Sequence, residues 1–86
     1  MLKQITLNGT KHYVDVCGRL DGCADTNNST VPTIMLMRDL TTRVGLETAI
    51  HEATHKLHPL MPEARVERSA HDMARFIWGL GYRYTE

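Results

Sequence analysis

Residues 51 to 55 read His51-Glu52-Ala53-Thr54-His55, the pattern H-E-x-x-H. On a helix, positions i and i+4 share a face, so the two imidazoles can turn toward one metal ion. Glu52, one position on, can reach a water bound to that metal. The pattern is the signature of zinc metallopeptidases, in which the glutamate acts as general base. A catalytic zinc takes three protein ligands and keeps a fourth position for water. The motif therefore leaves one ligand to be found.

Downstream, Glu63, Glu67 and His71 are spaced i, i+4, i+8, and Asp72 follows. On a helical wheel Glu67 lies at the edge of an apolar stripe, close to Ala70 and Ala74. Those small residues would let this helix approach the motif helix closely. A carboxylate at the margin of a tight helix contact is well placed to ligate, so Glu67 is the favoured third ligand. Glu63, nearer the helix start where it suits the dipole and solvent, and His71 are weaker candidates. His58 also falls on the face of His51 and His55. Three imidazoles along one regular helix do not converge easily on an ion, however, and a histidine just before Pro59 suits the negative end of the helix dipole.

The elements that would position these residues are readable in order. Ile5 and Leu7 alternate with polar residues, Asn8-Gly9 is a favoured two-residue turn, and Val14 and Val16 alternate on the return. Pairing Leu7 with Thr10 and Ile5 with His12 puts Ile5, Leu7, Val14 and Val16 on one face, expected to cover the helices. Residues 18 to 32 are rich in Gly, Asp, Asn, Ser and Thr and read as a loop. Asp21, Asp25, Asn27 and Asn28 lack the spacing and closing glutamate of a calcium loop. Thr33 to Met37 is an apolar run, expected as a third strand. A helix is predicted over 41–58, capped by Thr41 or Thr42 and ended by Pro59, with the apolar stripe Leu46, Ala49, Ile50, Ala53 and Leu57. A second helix is predicted from about Pro62, with Val66, Ala70, Met73, Ala74, Ile77 and Leu80 at helical spacing and Gly81 as its stop. Met35, Met37, Met61 and Met73 read as gap-fillers, and Trp78 as core.

The chain of 86 residues is enough for one small α+β domain, residues 1–86. Such a domain buries a thin core, to which bound metal can add folding free energy. Formal net charge is zero, which gives no reason to expect nucleic acid or an anionic membrane as partner. No apolar run reaches transmembrane length and no secretory signal is evident, so the expected location is cytoplasmic. Cys17 and Cys23 lack a second pair at zinc-ribbon spacing and are expected as reduced thiols.

The run from Leu46 to His55, followed by Glu67-Arg68-Ser69-Ala70-His71-Asp72-Met73-Ala74, resembles the gluzincin metallopeptidases. It is most similar to very small, phage-associated members, the minigluzincin-like and ImmA/IrrE-type peptidases. In those, a second helix carries a ligand glutamate followed three residues later by alanine, as Glu67 and Ala70 are here. The segment from Ile77 to Arg83 is also similar to the small phage forms. Larger gluzincins often carry an aspartate four residues after the ligand glutamate, and here that position is His71.

The resemblance implies a zincin-like domain, with an N-terminal β-hairpin and a third, edge strand packed on two helices. It implies a zinc cofactor held by His51, His55 and Glu67, peptide-bond hydrolysis with Glu52 as general base, and an extended peptide or protein as substrate. Candidates for stabilising the tetrahedral intermediate are His71, Tyr82 and Tyr84, the tyrosines reading equally well as a plain tail. Two further readings stand beside the peptidase. One is a zinc-stabilised binding protein without catalysis, and the other is a helical interaction module in which the motif is incidental. A site this open leaves room for an oligomer or a partner subunit to complete a cleft.

Overall fold

A computed structural model describes residues 2–16, 32–36 and 39–85. Asn8 and Gly9 both adopt positive φ, 54° and 77°, as a two-residue hairpin turn of type I′ requires. The turn joins strands β1 (Leu2–Leu7) and β2 (Thr10–Val16) in antiparallel register, with Leu7 opposite Thr10 and Ile5 opposite His12, the register expected from the alternation. Strand β3 (Thr33–Leu36) pairs in parallel with β2, giving the order β1-β2-β3 with β3 at an edge. Cys17, Cys23, all of the predicted 18–32 loop except Pro32, and Met37 lie outside the described residues.

Helix α1 runs Arg43–Leu57 and helix α2 runs Glu63–Gly79, so the chain is the expected α+β domain of three strands and two helices. The layering is more specific than expected. Helix α1 is the middle layer, packing on β1, on β3 and on α2, while α2 packs on no strand among the described residues. The face of Ile5, Leu7, Val14, Ile34 and Leu36 meets Ala49, Ile50 and Ala53 of α1 across an apolar cleft of about 290 Å³. Ile34 and Leu36 are buried, but Ile5 stays 48 % exposed because one helix cannot cover three strands. His12 is also buried, with Nδ1 2.8 Å from the Thr10 carbonyl. A carbonyl only accepts, so Nδ1 carries the hydrogen.

The helix–helix contact is the tightest part of the molecule. Val66, Ala70 and Ala74 of α2 are all 0 % exposed, at the i, i+4, i+8 spacing of one face. Gly81 takes φ 98° just past α2, the left-handed turn that stops a helix. Met35 and Met73, expected to fill gaps, are instead 39 % and 49 % exposed. No helix among the described residues is long and apolar enough to cross a membrane.

The start of α1 is built by Asp39 and Thr42. Thr42 Oγ1 accepts from the Gly45 amide at 3.0 Å and donates to the Asp39 carbonyl at 2.8 Å. The Asp39 carboxylate accepts from the Thr41 hydroxyl and amide at 2.6 and 2.9 Å, and these bonds hold its pKa below the ordinary value. A depressed carboxylate pKa adds stability above the unfolded-state pKa, which is lost as pH falls through the folded value. Gly45 is buried, and a Cβ there would collide with the Asp39 carbonyl. We predict that Gly45→Ala costs roughly 3 kcal/mol in urea unfolding, the upper end for overpacking, against about 1 kcal/mol for loss of the cap in Thr42→Ala. Equal stability of Gly45→Ala and wild type would show that the turn does not pack on α1 as described.

Candidate metal centre

The H-E-x-x-H residues occupy the last two turns of α1. The helix ends at Leu57, and the His58 amide caps it by donating to the Thr54 carbonyl at 2.8 Å. Residues 58–62 then reverse the chain. The Met61 amide bonds the His58 carbonyl at 3.0 Å, and Pro62, extended at ψ 145°, leads into α2. The reversal puts the first residue of α2 beside the end of α1.

That first residue is Glu63. Its carboxylate spans both imidazoles, with Oε1 2.8 Å from His51 Nε2 and Oε2 2.9 Å from His55 Nε2. The two Nε2 atoms are 3.0 Å apart, and the rings, with centroids 4.8 Å apart, are tilted by 58°. Among the described residues these three form the group able to hold a metal ion. A tetrahedral zinc with bonds of about 2.0–2.1 Å separates its ligand atoms by about 3.3 Å, so the group would open by a few tenths of an ångström to accept the ion. In the contacts with the imidazoles the Glu63 carboxylate is the acceptor. Both helix dipoles favour the arrangement: a carboxylate at the N-terminus of α2, and positive charge at the C-terminus of α1.

Glu67, the residue favoured from sequence, does not join the group. It is exposed, one turn further along α2. The reason is first of all position along the axis, since only the first turn of α2 meets the end of α1 that carries His51 and His55. Glu63 precedes Val66, Ala70 and Ala74 by three, seven and eleven residues, so it lies on the line of the buried stripe, and at its end. Glu67 is one residue past Val66 and is rotated to the stripe's margin. The spacing of Glu63 was available in the sequence, but its suitability for the dipole and solvent concealed it. Both requirements are met at once, because a first-turn residue facing a neighbouring helix end is also partly exposed. Its side chain is 57 % exposed, against 24 % for His51 and 35 % for His55.

The remaining candidates separate cleanly. Glu52 is half-buried and outside the ligand group. His58 is exposed at the helix end and is not in the group. His71 Nδ1 lies 3.1 Å from Glu47 Oε1 of α1, a cross-helix contact. Tyr82 follows the far end of α2. Its amide lies 3.4 Å from the Ile77 carbonyl, and Ile77 is fourteen residues past Glu63, about 21 Å along a helix axis. Tyr82 and Tyr84 instead line an apolar cleft of about 240 Å³ with Leu40, Leu46, Ala49 and Trp78. Trp78, half-buried there, carries the Arg83 guanidinium 3.5 Å from its ring centroid.

No protein-family model, curated protein or solved structure matches this chain.

We predict that Glu63→Gln weakens zinc binding by more than about 100-fold, since removing a residue that merely supports a ligand already costs 10–100-fold. Glu67→Gln should stay within about threefold of wild type on the same scale. Chelator competition measures both, and the reverse order would return the third-ligand role to Glu67.

Proposed function

We propose that this chain is a zinc-dependent metallopeptidase of the gluzincin kind, hydrolysing peptide bonds of an extended peptide or protein in the cytoplasm. The observation that carries the reading is the convergence of His51 Nε2, His55 Nε2 and the Glu63 carboxylate, with Glu52 beside them in the same two helical turns. His51, His55 and Glu63 would hold the ion. Zinc bound there would acidify a water in the fourth position and polarise the scissile carbonyl. Glu52 takes the proton of the attacking water and passes it to the leaving amine as the C–N bond breaks. Position β3, an edge strand, offers backbone groups on which an extended peptide could be held by strand addition.

One observation favours a second reading, a zinc-stabilised binding protein without catalysis. His71 bonds Glu47 and Tyr82 follows the far end of α2, and a site to which neither brought a donor would lack an interaction that supplies much of the rate.

Glu52→Gln separates the two. The peptidase reading predicts that cleavage of an unstructured protein falls by at least about 100-fold, the contribution of a positioned general base, while zinc stoichiometry is kept. A variant that cleaves as fast as its parent would contradict the mechanism, and wild type without any cleavage would favour the binding protein.

A further inference from the structure

Outside the candidate metal centre, one polar side-chain contact joins α1 to α2 among the described residues, the 3.1 Å approach of His71 Nδ1 to Glu47 Oε1. The carboxylate accepts, so Nδ1–H donates. Glu47 stands one turn before His51, and His71 stands two turns after Glu63. The two contacts therefore lie on the same side of the helix pair, with Glu67 between them on α2. Arg43 steadies the upper contact. Its Nη1 is buried without a hydrogen bond, and it lies 3.7 Å from the same Glu47 oxygen.

What separates the helices along this seam is Val66, Ala70 and Ala74, all wholly buried. Small aliphatic side chains set how near two helices come, but their packing is non-directional and tolerates axial sliding. A hydrogen bond with a narrow distance and angle range does not. An axial offset of one helical turn, about 5.4 Å, would end the bridging of both histidines by the Glu63 carboxylate. The thin core gives little else to resist it, since α2 packs on no strand among the described residues.

We propose that Glu47 and His71 are positioning residues, whose contact fixes the axial register of α2 on α1 and so delivers the Glu63 carboxylate to His51 and His55. The functional part of this rests on the reading of His51, His55 and Glu63 as a metal centre. His71 does not touch that centre. It is eight residues past Glu63, about 12 Å along the helix axis. The pair governs how well the ligand set is assembled and leaves proton transfer by Glu52 alone.

The test compares Glu47→Ala, His71→Ala and the exchanged pair E47H/H71E in the full chain. Two readouts are taken: the cobalt(II) dissociation constant by chelator competition, and the imidazole ¹⁵N resonances of His51 and His55 in metal-free protein. Each alanine variant should bind cobalt roughly tenfold more weakly, the low end for a residue that orients a metal ligand. Each should also shift the metal-free ring resonances while still unfolding cooperatively. The exchanged pair, which keeps a donor opposite a carboxylate, should move both readouts back toward wild type. Alanine variants that bind cobalt within about twofold of wild type and leave the ring resonances in place overturn the proposal. So does an exchanged pair no better than the alanine variants. If wild type binds no cobalt, the metal reading fails, and the ring resonances still decide whether the pair sets the register.

Discussion

The close contact between the two helices is the constraint on which the rest of the molecule depends. Interaxial distance follows the size of the side chains at the contact, within about 8–10 Å, and Val66, Ala70 and Ala74 are small and fully buried. Such a contact favours the short end of that range. It lets a glutamate in the first turn of α2 span two histidines in the last turns of α1, at 2.8 and 2.9 Å. Larger residues along the stripe would lift the helix away and leave Glu63 in solvent.

The same economy explains why polar groups matter here. The wholly or nearly buried apolar residues among those described are Ile34, Leu36, Val66, Ala70 and Ala74, a small store of hydrophobic stabilisation for a chain of 86 residues. Helix α1 is held by the sheet on one side, by the Asp39–Thr42 turn at its start, and by α2 on the other side. Helix α2 is held by α1. A metal bridging His51, His55 and Glu63 would cross-link the two helices at their joined end, where its binding free energy counts toward folding. The Glu47–His71 contact acts further along the same seam.

Most of the scaffold was legible in the sequence, and for identifiable reasons. Asn8-Gly9 dictated a turn type, the turn dictated the register, and the alternation of Ile5, Leu7, Val14 and Val16 chose the face. Thr42, Pro59 and Gly81 marked the helix ends through capping and backbone geometry that operate locally. What the sequence did not disclose was tertiary. That α2 would rest on α1 alone, leaving Met73, Phe76 and Leu80 at 49 %, 64 % and 61 % exposure, depends on layer order and not on periodicity. The choice between Glu63 and Glu67 turned on one helical turn along the axis of α2, a displacement that a helical wheel does not display. His71 carried the residue type of a catalytic group, but its partner Glu47 is twenty-four positions away, and no local pattern links them.

The central claim is that His51, His55 and Glu63 form one metal centre. X-ray absorption at the zinc edge of stoichiometrically loaded protein tests it most directly. The expected result is a four-coordinate shell at about 2.0–2.1 Å, with outer scattering from two imidazoles. Removal of the Glu63 carboxylate should alter the shell while both imidazoles remain. A six-coordinate oxygen shell without imidazole scattering, or a shell unchanged in Glu63→Gln, would contradict it.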